Sequence, residues 1–297
     1  MSRLPLVQPF TVVDGGLSTV LEEMGEHPAG LLWTASTLLD HPEVLTSAHR
    51  RFVEAGADVV ITASYQASEA GFVRAGLSAA RAREVLASTT DVAKAAGARA
   101  VACSVGPFGA CLGDGSEYHG RYDATWAEVR AFHRARLEVL ASTGPDLFAI
   151  ETMPSQAEAE IVVEELRRLT DAPAWVTFTC NDDAHTCSGD SLVSAASAVA
   201  PAVDAVGLNC TAPALVAHLL RSLAGTLAAD LPFVVYPNHG AAWDAEHKCW
   251  LGTADGTDLP QYLPEWLSLG ARLVGGCCGV GTAGIAALAA ARAHLQG

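Results

Sequence analysis

The chain has 297 residues, half of them hydrophobic and 17% charged, which excludes a disordered or fibrous protein and leaves ample material for a core. Eighteen Lys and Arg against thirty-three Asp and Glu give a formal charge of −15, so binding to nucleic-acid phosphates or to an anionic membrane surface is not expected. A chain of this length can still close as one large unit, and the expectation is a single domain over residues 1–297.

The opening residues, broken by Pro5 and Pro9 and followed by Asp14, do not read as a secretory leader. The longest weakly polar stretch, Leu192–Leu208, is interrupted by Pro201 and Asp204 and does not read as a membrane span. The expected location is therefore cytoplasmic. There, eight cysteines are reduced, catalytic or metal-bound rather than paired in disulfides.

In chain order, short β-branched runs alternate with longer alanine-rich segments of helical period. The expected strands are Phe10–Val13, Asp58–Ile61, Ala98–Cys103, Asp146–Ile150, Ala174–Phe178, Ala205–Leu208, Pro232–Tyr236 and Arg272–Val274. Helices are expected within Ala79–Gly97, Thr125–Thr143, Ser155–Thr170 and Pro213–Thr226. Capping signals are Asp40 with Pro42 and Glu43, Thr125 with Glu128, and Ser155 with Glu158. Gly56, Gly97 and Gly270 each precede Ala and then Asp or Arg, and mark helix ends that want a positive φ.

Eight such units predict an α/β fold, the (β/α)8 TIM barrel. The competing open, doubly wound sheet is disfavoured because no G-x-G-x-x-G follows the first strand. The longest irregular segments, Gly106–Tyr122 and Asn238–Pro260, both follow expected strand ends, where a barrel builds its site.

The chemistry is therefore sought at those ends. Cys210 follows the sixth strand and Cys277-Cys278 the eighth, too far apart in the chain for a zinc knuckle. Closure brings these strands to one rim, where three thiolates would bind Zn²⁺ and leave a fourth position open. Buried apolar thiols, a redox-active vicinal pair, or a phosphate cradle at Gly275-Gly276 are the other readings of the same residues. Cys103, Cys111, Cys180, Cys187 and Cys249 read as core or loop thiols.

Asp14 and Glu151 end the first and fourth strands. They are either a general acid/base pair or fixed anions for an ammonium group, and Asp14 has the further reading of a helix cap. Trp33-Thr34 and Tyr65 are candidates to wall a pocket, and His239 sits at the seventh strand end.

Together these motifs resemble the homocysteine S-methyltransferase family. The resemblance runs through Asp14–Thr19, Leu32-Trp33-Thr34, Gly56-Ala57-Asp58, Ile61–Gln66, Ser104–Pro107, Asp114–Tyr118, Glu151-Thr152, Gly207–Thr211, Tyr236-Pro237-Asn238 and Gly275–Cys278. The pairing of Gly207-Leu208-Asn209-Cys210 with Gly275-Gly276-Cys277-Cys278 is its most specific element.

The resemblance implies an S-methyltransferase of methionine biosynthesis, in the branch that uses S-methylmethionine, or S-adenosylmethionine less well. It implies Zn²⁺ on Cys210, Cys277 and Cys278, with the homocysteine sulfur as fourth ligand. It places Asp14 and Glu151 near the homocysteine amino group and the Gly15-Gly16 backbone near its carboxylate. Trp33 and Thr34 match positions on the methyl-donor side of betaine-using relatives. His239 departs from the serine expected after Pro-Asn, and no cobalamin-binding extension or long C-terminal arm is read. A different thiol or selenol acceptor, such as selenocysteine, and a non-catalytic zinc or thiol-redox barrel are the alternative functions.

Overall fold

Each expected apolar run forms a parallel strand in the computed structural model, which describes residues 3–26, 34–240, 242–244, 249–251 and 257–296. The strands are β1 (Thr11–Val12), β2 (Val59–Ile61), β3 (Ala100–Val105), β4 (Leu147–Met153), β5 (Ala174–Phe178), β6 (Ala205–Asn209), β7 (Phe233–Tyr236) and β8 (Ala271–Val274). Sequence neighbours pair from β2 through β8, and β8 pairs with β1. A parallel bridge between Val13 and Val59 closes the ring, with Asp14 N donating to Val59 O at 3.0 Å and Asp58 N to Val12 O at 2.8 Å. The fold is a (β/α)8 barrel.

Alternation along the strands divides the apolar residues between two cores, because successive side chains point to opposite faces. Val13, Val59, Ala102, Ala149, Trp175, Val234 and Leu273 fill the barrel interior, joined by Leu4 from the segment before β1. Val12, Val60, Val101, Phe148, Ile150, Val176 and Val235 face outward into a larger core shared with the helices. Gly207 has a local reason to lack a side chain: a Cβ there would lie 1.8 Å from the Val234 carbonyl oxygen. Its absence lets β6 and β7 meet at the level of the barrel interior.

The helix signals hold with one correction. Thr125 and Glu128 form the full capping box of the helix Trp126–Ser142. Ser155 caps the helix Gln156–Arg167 from its side chain, while the Glu158 carboxylate turns inward to other partners. Asp40 does not cap: it ends the helix Thr34–Asp40, and His41 occupies the cap position of Pro42–Glu54 without a side-chain bond. Gly56, Gly97 and Gly270 adopt φ of 103°, 82° and 105°, the left-handed conformation that ends a helix most easily at glycine.

The two irregular segments carry structure of their own. Gly106–Tyr122 contains the helix Phe108–Leu112 and a 3-10 turn at Ser116–Tyr118. Asn238–Pro260 contains the antiparallel pair Ala242–Asp244 and Cys249–Leu251 and the start of a 3-10 turn at Leu259–Tyr262. Among the described residues, no helix is long and apolar enough to cross a membrane.

Gly207→Ala tests the close approach of β6 and β7. The added methyl has no space, so unfolding in urea is expected to show a loss of about 1–3 kcal/mol or more. A wild-type midpoint would mean that the two strands separate freely there.

Candidate metal and substrate site

The end of β7 is the frame of the site. Cys210 N donates to Tyr236 O at 3.2 Å, and Asn238 Nδ2 donates to Cys210 O at 3.3 Å. On the other side, Cys277 N donates to Pro237 O at 2.8 Å and His239 N to Cys278 O at 3.1 Å. These bonds draw the sixth and eighth strand ends onto the seventh. Cys210 takes a positive φ of 48°, a conformation that costs energy away from glycine and that turns its thiol toward the pair.

The Cys210 and Cys278 sulfurs are 3.5 Å apart and the Cys277 and Cys278 sulfurs 3.9 Å, with all three within 4.8 Å of one another. A tetrahedral centre with metal–sulfur bonds of about 2.3 Å places its sulfurs about 3.8 Å apart. The triangle therefore matches three corners of such a centre. The vicinal cysteines are free thiols, as are Cys103, Cys111, Cys180 and Cys187, while the side chain of Cys249 lies outside the described residues. His239 does not join the ligating cluster. Its ring instead lies against Gly279, where a Cβ would come within 2.4 Å of it.

Electrostatics also favours a cation here. The Cys278 thiol is held well below its ordinary value because the Cys210 and Cys277 thiols donate to it. Cys210 is in turn pushed well up by its bonds to Cys277 and Cys278 and by burial. Cys277 is eased by Cys210, but Cys278 and burial leave it well above its ordinary value. One thiolate forms readily among the three, and further ones need positive charge between them.

The glycines beside the cysteines serve backbone contact. Gly16 N donates to Val280 O at 2.9 Å, Gly275 N to Val235 O at 2.9 Å and Gly276 N to Asp14 O at 3.0 Å. A Cβ on Gly15 would lie 2.3 Å from Val280 O, and one on Gly275 2.7 Å from Asp14 O. The loops after β1 and β8 thus touch main chain to main chain. The phosphate-cradle reading of Gly275-Gly276 fails because both amides already have carbonyl partners.

Asp14 and Glu151 are both buried at this mouth. Asp14 Oδ2 accepts from Ile61 N at 2.8 Å, and Gly16 rather than Asp14 stands at the cap of the helix Leu17–Glu23. Burial pushes Asp14 well above the carboxylate range, and Glu151 adds to the rise despite the Ile61 amide. Burial carries Glu151 to about 7, against hydrogen bonds from Ser104 and Tyr236 that favour its charged form. Burial, and for Asp14 the neighbouring Glu151, disfavours the charged forms of these two carboxyls.

Sequence reading missed several supports of this arrangement. Arg136 is fully buried in the helix Trp126–Ser142 and donates to the carbonyls of Ser64, Tyr65 (2.8 Å) and Gly106 (2.9 Å), tying the ends of β2 and β3 together. Its signal was its place on the same helical stripe as Val129, His133 and Leu140, all buried. Asn209 Oδ1 accepts from Thr152 N at 2.7 Å and from Thr177 Oγ1 at 2.8 Å, fixing Thr152 at a φ of 60° beside Glu151. Trp33 and the Thr34 side chain lie outside the described residues.

A family profile described as homocysteine S-methyltransferase matches residues 11–292. The chain belongs to the homocysteine S-methyltransferase family. It is 40% identical to the homocysteine S-methyltransferase of Escherichia coli, over 95% of each chain. It is 35% identical to the homocysteine S-methyltransferase YbgG of Bacillus subtilis, over 91% of this chain and 90% of that protein. The crystal structure of the E. coli homocysteine methyltransferase MmuM in metallated form superposes with a TM-score of 0.84 at 39% identity, over 95% of this chain and 96% of that one. The protein is thus a methyltransferase enzyme.

The raised Glu151 has a measurable consequence in substrate-free, metal-free protein. Its carboxyl is near 7 when folded against an ordinary value of 4.5, so the unfolded chain ionises first and stability falls as pH rises between those values. Relative to wild type, Glu151→Gln is expected to remove about 3 kcal/mol of that decline, read from urea unfolding at pH 4.5 and pH 7.5. Parallel stability curves for the two proteins would mean that Glu151 is not raised.

Proposed function

We propose that this enzyme moves a methyl group from a sulfonium donor, S-methylmethionine or less efficiently S-adenosylmethionine, to homocysteine, giving methionine, with Zn²⁺ on Cys210, Cys277 and Cys278. The observation that carries the reading is the open triangle of thiols set beside two buried carboxyls. Bound there, Zn²⁺ supplies a fourth coordination position for the acceptor sulfur and favours its thiolate.

Asp14 and Glu151 then hold the acceptor's ammonium, and the Gly15-Gly16 turn is the proposed neighbour of its carboxylate. Anchoring both ends of the amino acid selects an acceptor by the distance from its amino group to its sulfur. Trp33 and Thr34 are proposed for the donor side, as the resemblance implies. Methyl transfer forms one carbon–sulfur bond and breaks another, the broken bond's electron pair staying on the donor sulfur. Thiolate and sulfonium become two neutral thioethers. No proton moves at carbon, so the carboxyls serve as anchors rather than as acid and base.

Ionisation explains only part of the rate. A free thiol of pKa about 8.5 is about 3% ionised at pH 7, so full ionisation contributes only about 2 kcal/mol. The larger share must come from holding the acceptor sulfur, the methyl carbon and the leaving sulfur in line.

Metal-analysed protein supplied with homocysteine and either S-methylmethionine, S-adenosylmethionine or betaine tests the reading. Methionine is expected from the sulfonium donors, lost on zinc removal and restored with zinc. No methionine from any donor, with the metal retained, would overturn the homocysteine acceptor and point to another thiol or selenol. Serine at Cys210, Cys277 or Cys278 is expected to abolish both zinc retention and turnover, and full activity in any of these variants would remove that residue from the metal set. Glu151→Ala is expected to raise the KM for homocysteine at least about tenfold with zinc content unchanged, the scale of one hydrogen bond to a charged group.

A further inference from the structure

Five carboxylates are buried among the described residues: Asp14, Glu117, Glu151, Glu158 and Glu165. Four have evident partners. Asp14 accepts from Ile61 N, and Glu151 from Ser104. Glu158 is held by His133 Nε2 at 2.9 Å, Tyr122 Oη at 2.6 Å and Phe108 N at 2.5 Å. Glu165 is paired with Arg130 and Arg134. Glu117 differs: it is 7% exposed, and its Oε2 is fully buried with no hydrogen-bond partner among the described residues. Leaving a buried carboxylate oxygen unpaired is costly, so a ligand that supplies the missing donor is the physical expectation.

The surroundings of Glu117 are acidic and closely packed. It lies in the Ser116–Tyr118 turn, packed on the helix Phe108–Leu112 so closely that a Cβ on Gly109 would be 2.5 Å from Glu117 N. Burial raises Glu117, and the charges that raise it further, Asp114 and Cys278, are both acidic. Burial likewise lifts the neighbouring Tyr118 hydroxyl, with Cys278, Cys210 and Glu117 adding to it. The turn follows the end of β3, at the same rim of the barrel as Cys210, Cys277 and Cys278, yet Glu117 stands outside the set of metal ligands. Gln66, next to Tyr65, has a second buried acceptor, Oε1, without a partner.

We infer that Glu117 is a specificity-determining residue that binds the α-ammonium group of the methyl donor. The inference rests on the sulfonium-donor reading above. The acceptor's ammonium already has Asp14 and Glu151. A sulfonium has no N–H to give, so the group that satisfies the open Oε2 is the donor's ammonium rather than its sulfonium. A charge-assisted bond there orients the donor while the sulfonium approaches the anionic thiol cluster.

The test uses the zinc-loaded enzyme and two donors, S-methylmethionine and its des-amino analogue, which keeps the sulfonium and carboxylate. Wild type is expected to bind the des-amino analogue at least about tenfold more weakly, by equilibrium dialysis and by KM. In Glu117→Gln that preference collapses, while the KM for homocysteine stays within about twofold and zinc content is unchanged, against the roughly tenfold scale of a charged hydrogen bond. Equal binding of both donors by wild type, or a Glu117→Gln variant that raises the KM for homocysteine instead, would overturn the inference. Failure of wild type to make methionine from any sulfonium donor would overturn the proposed function itself. An unchanged donor preference in Glu117→Gln, with wild-type turnover intact, would overturn the Glu117 assignment alone.

Discussion

The segment Tyr236–His239 at the end of β7 is the part on which the rest of the site depends. It bonds Cys210 on one side and Cys277 and Cys278 on the other, so the spacing of two parallel ladders sets the spacing of the thiols. Adjacent strands lie about 4.8 Å apart, so β6 and β8, with β7 between them, are about 10 Å apart, too far to bring their sulfurs into contact without help from their loops. Two features close the gap: the positive φ of Cys210, and the turn at Gly279, itself at a φ of 76° beneath the His239 ring. The seam between β8 and β1 adds the carboxyl side of the mouth, because glycines let Asp14 and Gly276 bond through their backbones.

The charge pattern at this mouth follows one logic. Three thiols and three incompletely neutralised carboxyls, Asp14, Glu117 and Glu151, are buried or half-buried around it. Arg136 is the buried cation nearby that eases Glu151, and its two terminal nitrogens are spent on three backbone carbonyls. Acidic groups thus predominate at the mouth, and under the proposed function the positive charge comes from the ligands: a metal dication, an acceptor ammonium and a cationic donor. On that proposal the site would bind its reactants partly by relieving its own repulsion, and would lose that attraction when the products are neutral at sulfur.

Much of this was legible in the chain because it is local. Ala174–Phe178 forms a strand over the residues its apolar run marks out, and Gly56, Gly97 and Gly270 end helices as their sequence context demands. The three cysteines were found because strand-end position in a closed barrel converts a long sequence separation into contact. Asp40 misled because an acidic residue before Pro42 suits a cap and a helix end alike, and the helix Thr34–Asp40 carries little apolar period. Arg136 and Glu158 were beyond reach for another reason. Their partners are 72 residues away for Arg136 with Ser64 and 50 for Glu158 with Phe108, so nothing local announces the bond. Glu117 was visible only as part of a motif, since an unpartnered oxygen is a property of the packed site.

X-ray absorption at the zinc edge on purified protein, before and after addition of homocysteine, tests the central claim most directly. The account predicts three sulfurs at about 2.3 Å and one lighter ligand, changing to four sulfurs when homocysteine binds. A coordination shell that homocysteine leaves unchanged, or a protein that retains no zinc, would contradict it.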